Sequence, residues 1–239
     1  MGYIPSNFKS NNNLRIVMSE EVYTRLAGCI NLCGLYMGRK KIGFLNLSNG
    51  QETVDPKDPG AEFGTVLYGN FDEYGTIQLE TPSKWDDYLP KSGSFSLSDK
   101  MRKEMDDNII LGKYQVVCHV HTHPHIQGDL NRHYSQSDID YYRKLSTDYS
   151  NATTLGCMLS VGAGNVSSQD DISFVIVDPK TKEIYNISNV SVNINGRIVP
   201  LAKQRYVYTD QRSGQKYPTE TTLFEIDETL INNSGSIRR

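Results

Sequence analysis

The sequence predicts a layered domain of mixed strands and helices, α+β in class, and three observations predict it. Segments with two-residue alternation or β-branched runs take turns along the chain with segments whose apolar residues recur every three to four positions, the pattern of a sheet with flanking helices. The composition, 37% hydrophobic, 22% charged and 10% aromatic, is that of a chain that builds a core, neither disordered nor fibrous. The length, 239 residues, lies below the roughly 250 to 300 at which single cores stop growing, so one large domain, or one with additions, is expected.

Residues 1–17, rich in Asn and Ser, read as a loosely ordered lead-in. "SEEVYTRLAGCI" follows with Ser19 as N-cap, acids in the first turn, and Val22, Leu26 and Ile30 four apart, which predicts a helix. "LCGLYMG" and "KIGFLNLS" predict short strands, and "NGQETVDPKDPG" a turn that could bound a domain. "EFGTVLYGNFDEYGTIQLETP" alternates as two strands around a turn at Asp72 and Glu73, and "SKWDDYLPKSG" reads as a loop. "SLSDKMRKEMDDN" sets Leu97, Met101 and Met105 on one helical stripe. "KYQVVCHVHTH" predicts a strand and "QSDIDYYRKLST" a helix. "TTLGCMLSVGA" and "DISFVIVDPKTKEIYNIS" predict three more strands, with "DPKTKE" as a hairpin turn. From "NVSVNINGRIVPLA" onward the patterning is weak, and the end, "INNSGSIRR", reads as a polar tail.

A net charge of −3 provides no basic footprint for nucleic acid or an anionic membrane, so neither is expected as a partner. No apolar run approaches the ~20 residues of a membrane helix, and the first residues lack a signal peptide's apolar segment. A cytoplasmic protein is expected, or one delivered as an effector or toxin by a route without such a signal. Cys29, Cys33, Cys118 and Cys157 are scattered in apolar surroundings, which predicts reduced, buried thiols rather than a disulfide framework.

All five histidines, His119, His121, His123, His125 and His133, fall within residues 116–145. Alternate residues of a strand share a face, so the first four would point the same way, and Pro124 ends or edges the strand near His121 and His123. Two imidazoles at i and i+2 on such a rim can direct one nitrogen each at a common point, with a third ligand from elsewhere. "SQSD" follows, where Ser135 and Asp138 form an S-x-x-D group before a helix. By itself that is also a capping pattern. Together with H-x-H-P, two histidines and an aspartate around an open fourth position suit a catalytic zinc, since closed structural sites usually use cysteines.

"HTHP" followed by S-x-x-D resembles the JAB/MPN (JAMM) zinc metallopeptidase motif. The resemblance implies an MPN/JAB-like, cytidine-deaminase-like mixed β-sheet flanked by helices over residues 60–190, with an N-terminal addition at 1–59 and a C-terminal extension at 191–239 that ends in a partly disordered tail. It implies zinc on His121, His123 and Asp138, with Ser135 polarising the substrate carbonyl. The gap from His123 to Ser135 is longer than the family usually shows, and Ser137 with Asp140 offers a second register; Tyr134 and Ile139, flanking in the family's manner, favour the first. The other histidines have no role in the motif and read as loop or supporting residues.

The family also uses an upstream glutamate to activate water. "NLCGLYMG" has the shape of the glutamate strand of eukaryotic members, with Asn31 in the glutamate's place, and an amide cannot accept the proton. "EFGTVLYGNFDEYGTIQLETP" resembles the corresponding strand of bacterial toxin-associated JAB-like domains and puts Glu62 there, 59 residues before His121 against 90 for Asn31. Glu62 is the expected base. The implied activity is zinc-dependent hydrolysis of a peptide or isopeptide bond in a protein or peptide substrate, of which a ubiquitin-like protein is one candidate. A noncatalytic MPN-type interaction module is the alternative. A histidine-triad nucleotide hydrolase built on H-x-H-x-H is a further one, against which Thr122 and Pro124 stand where such enzymes carry bulky apolar residues.

Overall fold

A computed structural model describes residues 9–10, 13–37, 61–85, 90–91, 94–125, 134–162, 170–209 and 216–226. The expected strand at "KIGFLNLS", the turn after it, His133 and the polar tail lie outside the described residues.

The described strands are β1 (Lys9–Ser10), β2 (Arg15–Ser19), β3 (Gly64–Phe71), β4 (Ile77–Pro82), β5 (Pro90–Lys91), β6 (Ser94–Phe95), β7 (Val116–His125), β8 (Thr153–Gly162), β9 (Asp171–Val177), β10 (Ile184–Ile187), β11 (Asn189–Ile194), β12 (Arg197–Thr209) and β13 (Lys216–Ile226). The described helices are α1 (Glu20–Tyr36), α2 (Asp99–Ile109) and α3 (Gln136–Asp148). Nine strands form a closed ring in the order β9-β13-β12-β11-β2-β4-β3-β7-β8 and back to β9. Strand β10 continues off β9 and carries β1, while β5 and β6 make a separate short hairpin.

The molecule is therefore a closed β-barrel, not the mixed sheet flanked by helices that the sequence predicts. Two distant pairings close it. Parallel β11 joins β2, with Val190 opposite Ile16, and antiparallel β13 joins β9, with Thr222 opposite Ile172. Both link strands far apart in the chain, which local periodicity cannot register, and closure removes the unpaired edges an open sheet would expose. The division at residues 59 and 190 does not separate the barrel from additions, because β2 and β11–β13 are among its staves. Part of the expected lead-in, residues 15–17, is thus strand.

The chain passes from β2 into α1 without a linker. Ser19 ends the strand and caps the helix, its Oγ accepting from the Val22 N–H (3.2 Å) while donating to the Glu80 carbonyl (3.0 Å). Residues 32–36 of "LCGLYMG", expected as a strand, continue this helix, because Leu26, Cys29, Ile30 and Cys33 extend its buried stripe. The helix touches six consecutive staves, β11, β2, β4, β3, β7 and β8, which a helix can do only from the concave side of the ring. There Val22, Leu26 and Ile30 pack with Ile16, Met18, Leu79, Val120 and Leu155. Each large side chain so buried contributes about 1.5–3 kcal/mol relative to exposure.

Helices α2 and α3 cover part of the outer face. Met101, Met105 and Ile109 of α2 and Leu145 of α3 enclose Val66, Tyr68 and Val117. Tyr134 with Ile139 and Tyr142 of α3 covers Met158 and Val175. Strand β7 thus has two dry faces, with Val116, Cys118 and Val120 inward and Val117, His119, His121 and His123 outward. Among the described residues, no helix is long and apolar enough to cross a membrane.

Because β11–β13 close the ring, truncation before Asn189 should abolish cooperative folding; loss of a single melting transition by circular dichroism during a thermal scan checks it.

Candidate metal centre

Strand β7 is hydrogen-bonded on both edges, antiparallel to β3 and parallel to β8, and its alternation turns His119, His121 and His123 to the outer face under α3 and β6. His121 and His123 are buried. The third component arrives on the first turn of α3. Ser135 caps the helix, its Oγ accepting from the Asp138 N–H (3.2 Å), and the Asp138 carboxylate accepts from the Ser135 N–H (2.7 Å). This reciprocal capping box holds the carboxylate over the histidines, where the helix N-terminus also favours its charge.

The Asp138 Oδ1 lies 3.3 Å from His121 Nε2 and its Oδ2 3.4 Å from His123 Nε2, with the two Nε2 atoms 2.9 Å apart. Donor atoms around one tetrahedral ion at about 2.0–2.1 Å stand roughly 3.3–3.4 Å from one another. Both imidazole–carboxylate separations match that spacing. His121, His123 and Asp138 are positioned to bind a metal ion. Burial opposes the charge on Asp138, but hydrogen bonds and charge from His121 and His123 outweigh it and hold the carboxyl well below the ordinary carboxylate range.

The alternative register is not brought to the centre. Asp140 is exposed, accepts from Gln136 Nε2 (2.9 Å) and pairs with Arg143 (3.4 Å), while Ser137 Oγ hydrogen-bonds Ser135 Oγ (2.7 Å). Ser135 Oγ also donates to Asp138 Oδ2 (2.7 Å), so the capping role and proximity to the centre coincide in one residue.

Glu62 reaches the centre from the residues preceding β3. Gly64 pairs with His121 in antiparallel register, which brings Glu62 alongside the His123 end of β7. Burial raises its pKa, His121 and His123 lower it in part, Asp138 raises it again, and the Phe95 backbone N–H hydrogen-bonds its carboxylate. Asn31, by contrast, sits on α1 inside a helix, so the strand that would align it with a glutamate does not exist.

His119 shares the histidine face but stays outside the metal group. Its ring lies 5.5 Å from Phe95 and 4.7 Å from Tyr141, and burial pulls its pKa down to about 3, so it is neutral at physiological pH. No family model and no curated protein matches the chain. The chemistry of the centre therefore stands on its own geometry.

Tyr142 is a residue in contact with the centre that sequence reasoning missed. Its Oη lies 3.2 Å from His121 Nδ1. For Nε2 to offer a lone pair to a metal, Nδ1 must carry the proton and donate to the tyrosine oxygen, which orients the ring. Gly156 makes the space, since a Cβ there would stand 2.2 Å from the Tyr142 ring. The available signal was spacing: Tyr142 follows Asp138 by four residues, one turn along the same helical face.

One divalent ion per chain should bind, followed by the absorption of Co²⁺. Binding should be lost in His121→Ala, His123→Ala and Asp138→Ala and kept in Asp140→Ala. Tyr142→Phe should weaken it by about 10- to 100-fold, the usual cost of removing a ligand's hydrogen-bond partner.

Proposed function

We propose that this chain is a zinc-dependent peptidase or isopeptidase of the JAMM type, hydrolysing a peptide or isopeptide bond with an activated water. The observation that carries the reading is a half-buried carboxylate, Glu62, brought by the β3–β7 register alongside the His123 end of β7 and electrostatically coupled to the His121–His123–Asp138 group. The reading rests on this local constellation and its motif, since the barrel differs from the fold the resemblance implies.

Zinc suits a donor set of two imidazoles and one carboxylate, and when bound it supplies Lewis acidity that lowers the pKa of a coordinated water towards about 7. Glu62 takes the proton of the attacking water and returns it to the leaving amine. Its pKa, raised by burial, suits a group that must both accept and release a proton. The Ser135 hydroxyl, half-buried beside Asp138, turns its one proton from the Asp138 carboxylate to the carbonyl oxygen as negative charge develops there, a contribution whose loss typically costs about 10²- to 10³-fold. Tyr142 keeps His121 turned to the centre, and Asp138 holds its charge through the capping box. The substrate class that follows is a protein or peptide, with ubiquitin-like fusions the first to test. With Asn31 helical, the inactive-module alternative loses the alignment that supported it.

Glu62→Gln should retain the metal and lose hydrolysis by about 10²- to 10⁴-fold, measured by metal analysis beside turnover of a ubiquitin-like fusion and a peptide panel. Equal turnover in this variant would place the base elsewhere. The base acts deprotonated, so kcat/KM in the wild type should climb with pH through a limb that is absent from residual Glu62→Gln activity.

A further inference from the structure

We propose that Thr122 is a positioning residue for Glu62, holding the backbone next to the base through its side-chain hydroxyl. The inference rests on the reading of Glu62 as the base.

The regular β3–β7 ladder runs from Gly69 opposite Val116 to Gly64 opposite His121. Residues 61–63, which carry Glu62, precede β3 and so lie beyond that ladder. One further bond follows the ladder pattern, the Thr122 N–H donating to the Phe63 carbonyl (2.7 Å). The return bond does not. The Phe63 N–H donates to Thr122 Oγ1 (2.8 Å), so a hydroxyl takes the place usually filled by a main-chain carbonyl. Thr122 is fully buried.

On the other side of Glu62, the Cys33 thiol of α1 points its Sγ at the Ala61 carbonyl (3.8 Å). The two residues flanking Glu62 are thus each tied by a side chain reaching from the barrel interior. Thr122 also lies between His121 and His123 in the chain, so the strand that carries both imidazoles holds the backbone of the base directly. The separation between base and metal centre is then set by one pair of hydrogen bonds across two strands. A misplacement of about 1 Å in such a constellation can cost about 10²-fold in rate.

Valine keeps the branched shape and the burial of threonine and removes the acceptor; serine keeps the acceptor. In the full-length protein, Thr122→Val should retain zinc, and the Phe63 amide should exchange with solvent about 3- to 10-fold faster by NMR, the equivalent of one hydrogen bond. Turnover should fall by about 10- to 100-fold in kcat with KM unchanged. Thr122→Ser should restore both exchange and kcat. Thr122→Ala, which introduces no larger group, replaces the valine variant if that chain does not fold.

Unchanged Phe63 exchange in the valine or alanine variant overturns the proposal whatever the activity. So does loss of zinc to the extent seen in His121→Ala, or unchanged kcat where Glu62→Gln abolishes hydrolysis. If Glu62→Gln itself leaves turnover intact, the base assignment fails and the positioning role falls with it. The exchange measurement then still reports separately whether the Thr122–Phe63 bond exists.

Discussion

Strand β7 is hydrogen-bonded to β3 on one side and β8 on the other, and this double lock determines where each of its side chains points. A slip of one residue would turn Val116, Cys118 and Val120 away from α1 and drive His119, His121 and His123 into the apolar interior. The cost of burying three imidazoles without partners, together with the loss of the valine contacts, makes the observed register the one the sequence can occupy. The centre therefore inherits its precision from the core. The same alternation that packs α1 into the barrel delivers two imidazole nitrogens to one point.

The charge at that point is managed by the start of α3. Asp138 spends its hydrogen-bonding capacity on the helix N-terminus, through Ser135, and its charge on the histidines. A partly buried carboxylate with such partners stays ionised, which is what a metal ligand requires. Glu62 lies in the same field but lacks the helix terminus, and burial leaves its pKa raised. Two carboxyl groups in one site are thus pushed apart in acidity by their surroundings, a separation of the kind that divides roles between acids and bases. His119, neutral and packed among Phe95 and Tyr141, adds an apolar wall rather than a third imidazole ligand.

Much of the site was legible in the chain because its signals are local. H-x-H on a β-branched run places two imidazoles on one face, and Ser135 with Asp138 opens a helix whether or not a metal is involved. The helices α2 and α3 and the β3–β4 pair announce themselves by period, cap and turn: Asp72 at that turn accepts from the Tyr74 and Thr76 N–H groups (2.9 and 2.8 Å). What was not legible depends on distant partners. "LCGLYMG" reads as a strand until the buried stripe of α1 is seen to run through Cys33, and β11–β13 look weakly patterned because each gains its stability from strands remote in sequence. Tyr142 and Thr122 carry no motif at all; their side chains hydrogen-bond residues 21 and 59 positions away.

By itself, then, the sequence determined the ligand types, their spacing along β7 and α3, and the local elements that present them, because those follow from dihedral periodicity and capping within a few residues. Only the tertiary structure decided that the strands close into a barrel, that Asp138 rather than Asp140 meets the histidines, that Glu62 rather than Asn31 lies beside them, and that Thr122 and Tyr142 hydrogen-bond Phe63 and His121. These outcomes depend on which surfaces exclude water together and which strand edges pair across long separations. That balance of burial and hydrogen bonding belongs to the folded chain as a whole.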